Sequence, residues 1–448
     1  MSSPALLSDR YSTAEPKGAA GRALPGVVVL SVCLLPFLAP AGSGNTAPMD
    51  VGITAAVTLG LLWVTRESVP VPMPYAAGVL IMLTAGSLAA VVADAPAITA
   101  LVLAQDLLLL FWAALLALGA RQPALVAAAT RAWGISAPLY ASVMVVAYLT
   151  GLNAVAGVSP DNGVRASYTF GDPNLAGNYL VTSIFVMAAC ERPRRPIVRR
   201  LGYTVMLTAI VFTGSNGAFL TLILGVVVAL CISVFRRSGA LAGTASLFAV
   251  LASAVLVLGF VLPAIDMDAV RHEAADSVPL LRDSIARSGD SSSERSMILH
   301  EGYAEWLAGD LLGHGPGQTQ ETLAATQAPY PKEAHNDYLA VLLERGVVGF
   351  VGLLVLLYAI GARCARLLTG ELPEPFREWV PRWWLLVVIG PVMAVAGTFY
   401  EVLHFRHLWT WLGLVAALSA VAVARRRDDG SVPDDASDRA GVPRGDSS

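Results

Sequence analysis

Ala218-Phe219-Leu220-Thr221-Leu222-Ile223-Leu224-Gly225-Val226-Val227-Val228-Ala229-Leu230-Cys231-Ile232-Ser233-Val234-Phe235 holds no charged residue and stops at Arg236-Arg237. Wound as a helix at about 1.5 Å per residue, a run of this length matches the hydrocarbon core of a bilayer. A helix also satisfies its own backbone hydrogen bonds, which lipid cannot do. The same texture recurs along the 448 residues, of which 55% are hydrophobic and 14% charged. Soluble domains carry about 25% charged residues, so the composition excludes an ordinary soluble enzyme. The net charge of −3 says little, because the distribution of charge matters more than its sum, and no nucleic-acid partner is expected. Cys33, Cys190, Cys231 and Cys364 are scattered and form no CxxC pair. They read as apolar filler, not as a disulfide framework or metal site.

Twelve candidate spans follow, near 24–41, 49–65, 74–93, 96–119, 135–157, 174–190, 197–213, 217–235, 242–264, 337–363, 384–401 and 405–424. The expected fold is an all-α polytopic membrane protein with about 12 transmembrane helices and one large extracytoplasmic loop. Arginines accumulate in alternate connections: Arg66; Arg121 and Arg131; the cluster from Arg192 to Arg200; Arg236 and Arg237; Arg363 to Arg382; and Arg425 to Arg427. Cytoplasmic loops are enriched in Lys and Arg, so both termini are expected in the cytoplasm. The division is then a cytoplasmic tail (1–23), nine spans (24–264), the outer loop (265–336), three spans (337–424) and a disordered tail (425–448). The first apolar segment reads as a retained span, not a cleaved signal.

The outer loop is too long for a simple connector. Ser291-Ser292-Ser293-Glu294 can form a capping box. Met297, Leu299, Tyr303, Trp306 and Leu307 then recur at helical spacing opposite His300, Glu301 and Glu305, which suits the membrane interface. The loop ends at Ala334-His335-Asn336-Asp337-Tyr338-Leu339, followed by Glu344-Arg345-Gly346 and Gly349. His335 stands where loop becomes span. Continued as helix, it shares a face with Leu339, Leu342, Gly346 and Gly349, where glycines admit a close helix or a lipid chain. A neutral imidazole there can take a proton from a hydroxyl. The plainer alternative is that His335 and Asn336 cap the helix. Glu401, His404, Arg406 and His407 form the other polar cluster on that side.

Arg295, at the start of the loop helix, can clamp an anion, although pairing with Glu294 or Asp290 is the plainer reading. Arg282 and Arg287 are weaker rivals. Arg165 precedes Phe170-Gly171-Asp172-Pro173-Asn174, where Asp172 or Asn174 can cap the sixth span and Arg165 faces outward. Thr213-Gly214-Ser215-Asn216-Gly217 is a sharp polar turn. Gly313-His314-Gly315-Pro316-Gly317 loosely suggests a phosphate cradle. Asp106 lies mid-span, where a carboxylate costs about 2.5–3.5 kcal/mol on insertion scales, and this favours a solute transporter as the alternative function.

Taken in order, these motifs resemble the O-antigen ligase and O-antigen polymerase superfamily. The resemblance rests on an arginine before Phe-x-Asp-Pro-Asn, a Thr-x-Ser-x-Gly turn and a large loop with an arginine and Leu-x-Gly-x-Gly-Pro-Gly. His-Asn-x-Tyr-Leu with Glu-x-Gly completes the set. It implies a GT-C-like helical bundle in the cytoplasmic membrane of a bacterium, working outside that membrane as a metal-independent glycosyltransferase without cofactor. It implies a polyprenyl-diphosphate-linked glycan donor, such as an undecaprenyl diphosphate, and a glycan, lipid or protein acceptor. Cell-envelope polysaccharide biosynthesis is the setting such a donor suggests. By this resemblance His335 matches the catalytic histidine and Arg295 the diphosphate-binding loop arginine. Arg165 is a further candidate for the diphosphate, with Asn336, Tyr338, Glu344, Asp172, Asn174 and Asn216 in support. The family turn usually reads Ser-Arg-Gly, whereas Ser215-Asn216-Gly217 lacks that charge. Either Arg165 substitutes for it, or the chain uses a different donor, or it is an inactive relative.

Overall fold

The computed structural model describes residues 18–38, 47–159, 164–256, 296–307, 311–325 and 334–430. Among them the structure is helical, with no strand. The expected capping box, Arg282, Arg287 and Arg295 lie outside the described residues, as does most of the expected N-terminal tail.

The longer helices are α1 (Ala19–Cys33), α2 (Pro48–Glu67), α3 (Ala76–Ala89), α4 (Pro96–Ala117), α5 (Pro123–Leu149), α6 (Pro173–Cys190), α7 (Pro196–Thr213) and α8 (Asn216–Leu256). The loop helix α9 covers 296–307. After it come α10 (Thr319–Ala325), α11 (Asp337–Thr369), α12 (Ile389–Ala396) and α13 (Arg406–Gly430). Proline opens α2, α4, α5, α6 and α7 within the first two positions, where its missing N–H has no intrahelical partner to lose. Six helices are long and apolar enough to cross a membrane, and three apolar helical segments are shorter. The chain is a polytopic helical membrane protein on that ground.

Several boundaries depart from expectation. α5 starts at Pro123, so Arg131 sits within a helix and not in a connection. The segment expected as a span over 384–401 is a 3₁₀ turn, Trp383–Val388, running into α12. α13 continues to Gly430, into the segment expected to be disordered. α8 is interrupted at Gly239 (φ 85°, ψ 178°), just beyond Arg236-Arg237, where two separate spans were expected.

α11 packs against α3, α13 against α4, and α5 against α1 and α7. A Cβ on Gly352 would lie 2.9 Å from the Gly78 carbonyl oxygen, so α3 and α11 touch backbone to backbone. Small residues permit this approach, which drives helix association in lipid.

Polar contacts sort the bundle into two ends. Arg382 pairs with Glu191 at 2.7 Å, Arg194 pairs with Glu378, and Arg236 Nη1 donates to the Leu368 carbonyl at 3.1 Å. Arg425 Nη1 reaches the Leu372 carbonyl at 3.4 Å. These arginines therefore share one end. Along α8, Asn216 is twenty residues from Arg236, which is about 30 Å of helix. Asn216 thus belongs to the opposite end, with the residues described next.

Candidate functional site

The site is built around the turn that joins α12 to α13. The Asp337 N–H donates to the Gly397 carbonyl at 2.8 Å. Its carboxylate accepts from the Val402 and Leu403 N–H groups at 3.0 and 3.2 Å. Asn336 Nδ2 donates to the Thr398 carbonyl at 3.0 Å. The beginning of α11 and the 397–403 turn are thereby fixed to each other. Tyr400, on the same turn, places its hydroxyl 3.2 Å from Ser215 Oγ. Ser215 belongs to the Thr213–Gly217 turn, whose Thr213 carbonyl accepts from Arg165 Nε at 2.7 Å. Arg165 Nη2 donates to Asn174 Oδ1, also at 2.7 Å. The segments bearing His335, Asn336, Asn216, Arg165 and Asn174 meet in one hydrogen-bonded frame.

Local chemistry explains each position. Asn336 is the N-cap of α11, its Oδ1 accepting from Tyr338 and Leu339 N–H at 2.9 and 3.0 Å. Asp172 caps α6 by accepting from Asn174 N–H, which settles the alternative between those two residues. Arg165 does not face outward as expected, because its guanidinium bridges the turn and α6. Both of these acceptors are neutral oxygens, and a guanidinium keeps its charge. Tyr338 Oη donates to the Ala394 carbonyl at 2.9 Å.

His335 neither continues α11 nor acts as its N-cap. It is half-buried in the left-handed region, with φ +48°. A non-glycine residue there costs on the order of 1–3 kcal/mol and is held only by surroundings that fix it. The expected face shared with Leu342 and Gly346 is therefore absent. α11 itself breaks at Gly346 (φ 61°, ψ −166°). The broken backbone is completed by the glycine-rich segment: His314 and Gly315 N–H donate to the Leu343 and Glu344 carbonyls, and Val347 N–H donates to Leu311. The Glu344 carboxylate accepts from Thr319 Oγ1 at 2.9 Å and from the Gly317 N–H. The amides of this loop are thus committed to α11 and Glu344, which removes the phosphate-cradle reading. The glycines of α11 admit this loop at Gly346 and α3 at Gly352, so among the described residues a close helix and not a lipid chain takes that face.

α9 lies over the first turns of α11. A Cβ on Gly302 would meet Leu339 and Leu343, and Trp306 packs on the same cluster. The packed face is Ile298, Gly302 and Trp306, whereas Met297, Leu299, Tyr303 and Leu307 are exposed. Most of the expected apolar stripe therefore points away from α11.

The second histidine cluster divides. Arg406 forms a bidentate pair with Asp50, Nε to Oδ1 at 2.9 Å and Nη2 to Oδ2 at 2.8 Å. His407 is buried with Nε2 at 2.8 Å from Asn178 Oδ1 and packs edge-on against Tyr179. Both serve the bundle core. Glu401 and His404 instead line a cavity of about 20 Å³ with Asp106, Asp337, Glu344 and Arg345. Burial lowers the pKa of His404; nearby Asp106 opposes that shift, and Arg345 and Arg406 add to it. Asp106 pairs with Arg345 Nη2 at 2.5 Å in the buried bundle. Glu344 and Arg345 hydrogen-bond to different partners, Thr319 and Asp106, while lining the same cavity. The Arg345 pairing accounts for the mid-span carboxylate that motivated a transporter.

Sequence reasoning missed Asp50, Tyr400 and Thr398. Asp50 carried a signal, as a carboxylate at the edge of a span that needs a partner.

Residues 201–354 match the O-antigen ligase family model. The resemblance to the O-antigen ligase and polymerase superfamily is borne out over that segment, about a third of the chain. It takes in the Thr213–Gly217 turn, the loop helix, the glycine-rich segment, His335 and the Gly346 break. The family implies a glycosyltransferase-like membrane enzyme with a lipid-linked glycan and an acceptor as its general partners. No curated protein gives a match.

Proposed function

We propose that this protein is a membrane glycosyltransferase. It moves a polyprenyl-diphosphate-linked glycan onto an acceptor hydroxyl, in ligation or polymerisation of a cell-surface polysaccharide. The observation that carries this reading is the frame joining the His335 segment to Arg165 through Thr398, Tyr400, Ser215 and Thr213. The acceptor oxygen attacks the anomeric carbon of the donor. The bond from that carbon to the diphosphate oxygen breaks, and the electron pair leaves with the polyprenyl diphosphate. The hydroxyl proton passes to a ring nitrogen of neutral His335. Such general-base assistance is typically worth about 10²–10⁴-fold.

The leaving diphosphate needs cationic partners as its charge develops. Arg165 takes that role beside the turn where Asn216 stands in place of the family arginine, and Arg295 joins it from the loop. Asn336, Asp172, Asn174 and Glu344 position these groups. The concentration of arginines at the far end supports placing that end, and both termini, in the cytoplasm. The site then faces outward from the cytoplasmic membrane of a bacterium.

The test is transfer from a lipid-linked donor in isolated membranes. His335→Ala is expected to lower the rate by at least about 100-fold at unchanged expression. Full activity in that variant would overturn the assignment. Wild-type membranes that bind no donor would instead support the inactive-relative reading. In a deletion strain, shortened chains indicate polymerisation, and accumulated lipid-linked polymer indicates ligation.

A further inference from the structure

A groove of about 590 Å³ opens on the outside of the bundle, at the end away from His335. Its rim carries Arg236, Arg237 and Arg382 beside Trp384, and its floor includes Val226 and Leu230. Among the described residues no carboxylate lines it. Arg382 is paired with Glu191, and Arg236 reaches the Leu368 carbonyl while its guanidinium lies 5.0 Å from the centre of the Trp383 ring. Arg237 is exposed and makes no hydrogen bond or ion pair among the described residues. Three guanidinium groups with one carboxylate partner leave an excess of positive charge at the groove.

The floor defines what the groove holds. Val226 is 48% and Leu230 62% exposed, and both lie on α8 between Asn216 and the arginines. The next exposed residue on this face is Ile223. A ligand that satisfies both parts carries a phosphate at the arginine level and an alkyl chain along α8. A free anion would leave the apolar floor uncovered. The composition recurs in a second groove at the same end, where Arg121, Arg363 and Arg366 rim an opening of about 480 Å³, again with no carboxylate among the described residues. Both volumes fall in the range of ligand pockets, roughly 300–1,000 Å³. Arginines between helix ends at a membrane margin recognise anionic headgroups.

We propose that the Arg236–Arg237–Arg382 groove seats the headgroup of an anionic phospholipid, with its acyl chains over Val226 and Leu230. The arginine rim of the groove is about 30 Å along α8 from Asn216. Its occupancy therefore stands apart from the glycan-transfer reading.

The test is native mass spectrometry of the full chain in detergent, titrated with phosphatidylglycerol and, separately, with phosphatidylcholine. Preferential retention of phosphatidylglycerol is expected. Arg237→Gln removes an exposed side chain without breaking a described contact and should weaken retention about fivefold, while Arg237→Lys preserves it. The triple change R236Q/R237Q/R382Q should abolish the preference. Equal retention of the two lipids overturns the proposal, as does a preference that survives in the triple variant. Displacement of the lipid by millimolar inorganic phosphate would also overturn it, because the site would then be a phosphate site without a lipid requirement.

Discussion

Asn336 does two jobs with one side chain. Its oxygen caps α11 through two backbone N–H groups, and its nitrogen holds the Thr398 carbonyl. His335, immediately before it, sits in a left-handed conformation that its surroundings must maintain. Aspartate would keep the cap acceptor but lose the donor to Thr398. Asn336→Asp is therefore expected to retain most of the thermal stability yet reduce glycan transfer, by loosening the His335 segment from the 397–403 turn. Asn336→Ala loses the cap as well, at about 1 kcal/mol. Melting curves and transfer rates measured on both variants separate the two roles. Equal transfer by Asn336→Asp and wild type would show that the Thr398 tether does not position His335.

The break in α11 explains why Glu-x-Gly and the glycine-rich segment occur together. Gly346 occupies a backbone region essentially reserved for glycine, and a Cβ there would lie 2.1 Å from the Leu311 carbonyl oxygen. Gly346→Ala is expected to cost at least about 1–3 kcal/mol from backbone strain alone. It should also release the 311–317 segment, read as faster proteolysis or cysteine labelling there. A variant with native melting behaviour and native protection would show that the 311–317 segment does not depend on the break at Gly346. This element also marks a limit of sequence reading. The long apolar helices were legible because a bilayer imposes length and composition locally. The break was not, because a glycine inside an apolar run is equally compatible with a straight helix. Its partner lies some thirty residues earlier, in a segment whose spacing suggested phosphate binding.

Across the whole molecule, the long-range polar pairs were the least legible feature. Asp50 and Arg406 are 356 positions apart, and Asp106 and Arg345 are 239 apart. Nothing in either local sequence names the other partner. The motifs of the candidate site were legible individually, and Arg165, Asn174 and the 213–217 turn do meet. What the sequence could not supply was Tyr400 and Thr398, ordinary residues that matter only because the last turn closes over the others. The Asp106–Arg345 pair ties α4 to α11 in the same non-local way, with both side chains almost fully buried. Removing one partner of such a pair strands the other charge in a low-dielectric interior, at about 3–5 kcal/mol, whereas replacing both by apolar groups is often neutral or stabilising. Asp106→Leu should therefore be strongly destabilising in detergent, and Asp106→Leu with Arg345→Met should recover most of the loss. Denaturation of the two single variants and the double variant gives the coupling as a double-mutant cycle. A double variant as unstable as the sum of the singles would mean that the two residues act independently. Asp106 would then again need a functional explanation for standing in the middle of a span.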